Sequence, residues 1–187
     1  MAEGPAAGGG ATAGGGAAGP AGAAAASALP GSPFPLGATI RRDGTNFAVA
    51  SGVADRVDLC LFDEAGAETT RVSLRDFDAG VWHGFLPGIG AGQAYGYRVT
   101  GPYDPSRGLR CNPAKLLLDP YARALHGTVT PGPEILGYAA PGSDTPSATD
   151  SAARVPRSLV AAEAFEWTDG DRPAYRYEDT IIYEAHV

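Results

Sequence analysis

Carboxylates are the groups in this sequence most able to do chemistry. Hydrolysis of a glycosidic bond with retention needs two of them about 5–5.5 Å apart, one ionised as nucleophile and one protonated as acid. Close pairs occur at Asp63/Glu64, Asp76/Asp78 and Glu178/Asp179, and Glu184 stands further on. Adjacent acids point to opposite faces of an extended chain. Most of these acids sit among turn-forming residues and read as solvated, so no catalytic pair is assigned within this chain. His83, His126 and His186 have no G-x-S-x-G motif near them, which leaves Ser-His-Asp chemistry without support. Cys60 and Cys111 lie too far apart for a metal or redox motif and read as free thiols. No metal site and no cofactor is expected.

Aromatic side chains offer a second chemistry. Trp82, Tyr95, Tyr97, Tyr103 and Trp167 could stack on the apolar face of a sugar ring, giving affinity without charge. Trp82 alternates with Leu86 on one strand face, a placement more typical of the core than of a sugar platform. Tyr103, in a Pro-rich loop, is the better exposed candidate. Of the aromatics, Tyr103 and then Trp82 are the candidate substrate contacts. The net charge of −7 makes nucleic acid or an anionic membrane a poor partner and is compatible with a neutral polyol.

The elements that position these residues read as short strands. Leu36–Ile40 and Thr45–Ser51 flank a turn with Asp43-Gly44 as its hairpin signal. Val57–Phe62 has apolar residues on both faces, as a central strand does. Thr69–Leu74 alternates. Val81–Leu86 and Ala94–Val99 read as a β-hairpin, with Tyr95, Tyr97 and Val99 sharing a face. Gly101-Pro102 stops the last strand, and a turn-rich loop leads to Leu116-Leu117-Leu118 and Asp119-Pro120. Six or seven such strands at regular spacing predict an all-β sandwich.

The flanks are weaker. Residues 1–31 include 23 Gly or Ala, which predicts a disordered tail reaching residue 33. It lacks the charged start and Leu-rich core of a secretory signal. No run of 18 large apolar residues occurs, so no membrane span is expected. His126–Val129 reads as a possible strand, Pro131–Pro156 as loop, and Arg157–Ala164 as extended chain or short helix. Ile181–Val187 reads as a strand without a downstream partner, as in a truncated sequence.

The string GYRVTGPYDPSRGLRCNPAKLLLDPYARA, from Gly96 to Ala124, resembles the N-terminal region of bacterial glycogen debranching enzymes of the isoamylase type. Pro35–Thr39 followed by Gly44–Phe47 resembles that family's opening, and Asp179–Val187 resembles the first strand of its catalytic barrel. The likeness covers residues 34 to 187. Cys111 departs from it, standing where the family often has Phe.

The resemblance implies an immunoglobulin-like sandwich of carbohydrate-binding module 48 type over 34–125. An irregular linker over 126–176 and the start of a (β/α)8 barrel over 177–187 would follow. It implies a cytoplasmic parent enzyme that hydrolyses α-1,6 branches of glycogen or limit dextrin, with its catalytic carboxylates on later barrel strands. This chain by itself would then be inactive. Tyr97, Arg98, Asp104, Arg110, Asn112 and Lys115 would face the downstream barrel. On the last strand, His186 or Glu184 would support the active site or form a buried polar layer. A stand-alone α-glucan-binding module and a purely structural interface domain remain alternatives. A trehalose-pathway hydrolase or a branching enzyme would share the architecture.

Overall fold

The computed structural model describes residues 28–162, 170 and 174–186. The strands are β1 (Gly37–Arg41), β2 (Gly44–Ala50), β3 (Arg56–Phe62), β4 (Glu68–Leu74), β5 (Asp76–Asp78) and β6 (Val81–Pro87). They continue with β7 (Ala94–Thr100), β8 (Tyr103–Asp104), β9 (Leu109–Arg110), β10 (Ala124–His126) and β11 (Arg157–Leu159). The first sheet runs β1-β2-β6-β5 and the second β10-β11-β7-β3-β4, with β8-β9 as a small ladder apart.

The main core lies between the two sheets. Period-two alternation sends Phe47, Val49 and Leu86 inward from the first sheet. Val57, Leu59, Leu61, Val72, Leu74, Tyr95 and Tyr97 meet them from the second. Phe47 meets Tyr95 edge-on with ring centroids 5.1 Å apart, a favoured geometry for an aromatic pair. Strand β3 sits between β7 and β4, and its outward residues Cys60 and Phe62 form a second cluster with Leu116. The two-faced apolar pattern of Val57–Phe62 thus has its physical cause: both faces are covered.

The β1–β2 hairpin closes where Asp43-Gly44 predicts it, with Arg41 opposite Gly44. The β6–β7 hairpin does not exist. β6 pairs with β2 and β5, whereas β7 pairs with β3 and β11. Residues 88–93 carry the chain across the core, so each strand buries its apolar face from its own side.

Both flanks of the sandwich extend further than expected. Leu29 exchanges two backbone hydrogen bonds with Phe85, each 2.9 Å. Gly31 N–H donates to Asp76 Oδ2 at 3.0 Å, and Ser32 N–H to Asn46 Oδ1 at 2.7 Å. The segment 28–32 therefore belongs to the sandwich edge, because β6 offers it open backbone groups where β5 stops. β11 falls inside the stretch expected to be irregular, yet it lies between β7 and β10. Val160 N–H donates to Gln93 O at 3.0 Å, and the Val160 side chain joins the core.

The Ile181–Val187 strand is not formed over the described residues 181–186, and Val187 lies outside them. Ile181 is 95% exposed there. A strand needs a neighbour for its backbone donors and acceptors, and none pairs with this segment among the described residues. Residues 1–27 of the tail expected over 1–33, and Trp167, also lie outside the described residues. No helix among the described residues is long and apolar enough to cross a membrane.

Candidate functional site

The outward face of the five-stranded sheet is built over by its own chain. Gly96 and Arg98 of β7 point to that face. A Cβ at Gly96 would come within 2.8 Å of Leu116 Cδ1 and 3.0 Å of Leu117 O. Only glycine lets the Leu116-Leu117-Leu118 run lie against the strand. There Leu117 and Tyr97 exchange backbone hydrogen bonds of 2.8 and 2.9 Å. Ser151 Oγ accepts from Leu116 N–H at 2.9 Å, and Ser158 Oγ accepts from Asp119 N–H at 3.0 Å.

Polar side chains fix this cover. Arg98, 2% exposed, donates through Nη2 to Glu68 Oε2 at 3.0 Å and Asp150 Oδ2 at 2.8 Å, and through Nη1 to Pro113 O at 3.1 Å. Burial pulls its pKa down, but the hydrogen bonds to Asp150 and Glu68 outweigh burial and leave it raised. For Asp150, burial pushes upward, and the Ala152 N–H and Arg98 overcome it, so its carboxyl lies below the ordinary range. Lys115 Nζ gives its three donors to Glu134 O (2.8 Å), Thr149 O (2.7 Å) and Ser147 Oγ (3.1 Å). Burial lowers its pKa against the pull of Asp150 and Glu134. Asn112 donates to Ser147 O at 2.9 Å and accepts from Ala114 N–H at 2.9 Å. Burial raises the pKa of Asp119, although it accepts from Tyr95 Oη at 2.8 Å.

The residues expected to face a second domain thus divide. Tyr97, Arg98, Asn112 and Lys115 are buried inside this chain, their side chains taken up by the core or by the 113–151 cover. Arg98, Asn112 and Lys115 are internal fasteners here, donating to carbonyls of that cover at Pro113, Glu134, Ser147 and Thr149. Asp104 is half-buried, with Oδ1 accepting from Ser106 Oγ at 2.6 Å, and Arg110 is exposed beside it. Glu68, Glu134, Ser147, Asp150 and Ser151 were missed by sequence reasoning. They lie in a polar strand and a Ser/Thr/Pro-rich stretch whose spacing carries no period, so no local signal marks them.

The two aromatic candidates stand apart. Tyr103 is half-buried, with its hydroxyl donating to Gly137 O at 3.2 Å. Trp82 lies on the inward face near the start of β6, opposite Phe77 on the edge strand β5, half-buried, with Nε1 donating to Ser51 O at 3.2 Å. Its ring is tilted 47° against Phe77, centroids 5.0 Å apart, and Phe77 is 49% exposed. Trp82 and Phe77 together offer an apolar aromatic edge.

Most of the candidate carboxylates have local partners. Asp63 Oδ1 accepts from Ala67 N–H in a turn, at 2.8 Å. Asp78 Oδ2 lies 2.9 Å from His83 Nε2, and Asp76 Oδ2 lies 3.8 Å from His83 Nδ1. Glu178 and Asp179 are paired with exposed Arg176. Glu184 is exposed. No group of three or more metal-binding side chains occurs among the described residues.

Residues 35–122 match the family profile of carbohydrate-binding module 48, the isoamylase N-terminal domain. The matched stretch spans β1 to Ala122 and stops before β10 and β11, which complete the second sheet.

Among curated relatives, a "Glycogen operon protein GlgX homolog" of Mycobacterium tuberculosis is 46% identical over 161 residues, 84% of this chain and 22% of that protein. A "Glycogen debranching enzyme" of Yersinia pseudotuberculosis is 48% identical over 157 residues, 84% of this chain and 23% of that protein. The chain thus spans under a quarter of the length of these relatives. Among solved structures, a pullulanase from Bacillus acidopullulyticus superposes with a TM-score of 0.43 at 21% identity, over 68% of this chain and 12% of that one.

Proposed function

We propose that this chain is the N-terminal, non-catalytic part of a glycogen debranching enzyme that hydrolyses α-1,6-glucosidic branches. The observation that carries the reading is the 48% identity over 157 residues to a protein named for that activity, joined to the module 48 match. In this reading residues 28–160 form one sandwich with its cover, and residues 177–187 begin a catalytic barrel. The module steadies the enzyme on branched α-glucan, and the enzyme works in the cytoplasm.

The aromatic edge of Trp82 and Phe77 is the surface we assign to glucan, because a half-exposed ring pair can stack on a pyranose face. Tyr103, Asp104 and Arg110 are assigned to contact with the barrel. No acid and nucleophile are assigned among the described residues, and the chain is expected to release no reducing ends from limit dextrin. Turnover that disappears in Glu184→Gln or Asp179→Asn would overturn this assignment.

A second reading, a purely structural interface domain, is favoured by one observation: the outward face of the larger sheet is closed by the chain itself. Co-sedimentation of the chain with glycogen separates the two. Retention that falls in Trp82→Ala and Phe77→Ala supports the glucan-steadying role. No retention of the parent chain leaves only the interface role.

A further inference from the structure

Leu29 is bonded to the edge of β6 in the antiparallel sense, opposite Phe85. That direction sends the residues before Leu29 toward Pro87 and the β6–β7 connection. Ala28 already follows it. A Cβ at Gly84 would come within 3.0 Å of Ala28 Cβ and 3.2 Å of Leu74 Cδ2, so Ala28 is seated over that glycine at the margin of the core.

The β6–β7 connection borders an open cleft of about 840 Å³ at the end of the sandwich, with the β3–β4 turn and β11 as its other walls. An added Cβ at Gly88, Gly90 or Gly92 would meet nothing within 4 Å, so there is room beside the connection. Gly90 N–H and Ala91 N–H find no acceptor among the described residues. Leu159 and Ala94 supply apolar wall, while Asp63, Glu64 and Arg157 bring charges of both signs. Mixed charge of this kind opposes a simple anion and a simple cation alike. An extended peptide answers both, because its carbonyls accept from N–H and guanidinium groups and its amides donate to carboxylates.

The five residues ahead of Ala28, Ala23–Ser27, are four alanines and a serine, uncharged and small enough to lie against glycine. Six residues of extended chain span about 20 Å. That distance carries the chain from Leu29 back to Ala23, as far as the six residues from Phe85 to Ala91 can run the other way.

We propose that Ala23–Ser27 continue the Leu29 pairing in extended form, pass Gly88 and Gly90, and fill the mouth of the cleft. The occupant of the cleft is then the chain's own N-terminal segment, which any outside ligand must displace. This assignment does not depend on the debranching reading.

Amide NMR of the isotope-labelled full chain, set beside a variant lacking residues 1–27, tests it. Ala23–Ser27 should show extended-chain carbon shifts and hydrogen-exchange protection at least about tenfold above that of residues 8–16. Truncation should shift the amides of Gly90, Ala91, Gly92 and Leu159. Gly90→Trp puts a large ring into the open space at a position without positive φ. In that variant the protection of residues 23–27 should fall to the level of residues 8–16, while β3 and β7 stay protected. Helical shifts over Ala23–Ala26, or truncation shifts confined to the neighbours of Leu29 and Phe85, would overturn the proposal. Protection of residues 23–27 that survives Gly90→Trp would overturn it as well.

Discussion

Strand β7 has two sides, and they are held by different physics. Inward, Tyr95 and Tyr97 pack against Phe47 and neighbours in an apolar core. Outward, Gly96 and Arg98 meet the 113–151 cover, where a buried guanidinium, an ammonium and an amide donate to backbone carbonyls. The apolar side is non-directional and tolerates repacking of like volume. The polar side has one solution, because a buried donor left without its acceptor costs its full desolvation. The core therefore supplies stability, and the cover supplies a defined path for a long connection with little regular structure.

Breaking the inward side should cost most. Phe47→Ala removes a fully buried ring at the centre of the core and should lower stability by about 3–5 kcal/mol, read by thermal or denaturant unfolding. Arg98→Met should cost about 2–4 kcal/mol, since Pro113 O loses its donor and Asp150 its guanidinium, while Glu68 keeps Arg71 and Asp150 keeps Ala152 N–H. The two variants also differ in kind. Hydrogen exchange in Arg98→Met should rise first over residues 113–151, whereas Phe47→Ala should raise it in both sheets. Uniform exchange in Arg98→Met would erase the distinction between core and cover.

Trp82→Ala sits between the two regions. Its ring is half-buried, so a loss of about 1–2 kcal/mol is expected, less than for a core aromatic. The smallest effect concerns acid. Asp150 holds its proton less firmly folded than unfolded, so on acidification the unfolded chain takes up the proton first. The contribution is present above the ordinary aspartate pKa of about 3.9 and is lost as pH falls through the lower folded value. Asp150→Asn should lower neutral-pH stability by less than about 1 kcal/mol, given its exposure, and should flatten the acid limb of a stability profile.

The inward side was legible in the sequence because it has a period. Asp43-Gly44 marked a hairpin, and the two-faced run Val57–Phe62 marked a central strand. The β6–β7 relation was not legible, since a strand's alternation says which face is buried but not which sheet it joins. Arg157–Ala164 read as extended chain or short helix, because three residues, Arg157-Ser158-Leu159, are too few to show a period that decides. The cover was misread most. Arg98, Asn112 and Lys115 look like surface groups by type, and only the fold brings Asp150, Ser147 and Glu134 to them. For Trp82 the alternation with Leu86 favoured the core, and the ring is half-buried against it with Phe77 alongside.

The insertion of β11 between β7 and β10 has a bearing on how the chain leaves the ribosome. When residue 122 has been made, every segment within the module 48 match exists, and Leu117 already occupies part of the free edge of β7. Ala94 and Tyr95 still lack a neighbour on that side until Ser158 and Leu159 are synthesised. At about 5–20 residues per second the wait lasts seconds, long compared with hairpin formation. For that interval the nascent chain presents a short open sheet edge beside a nearly finished core. The gap is one that a nascent-chain chaperone could shield and that a recombinant domain ending at residue 122 would carry permanently.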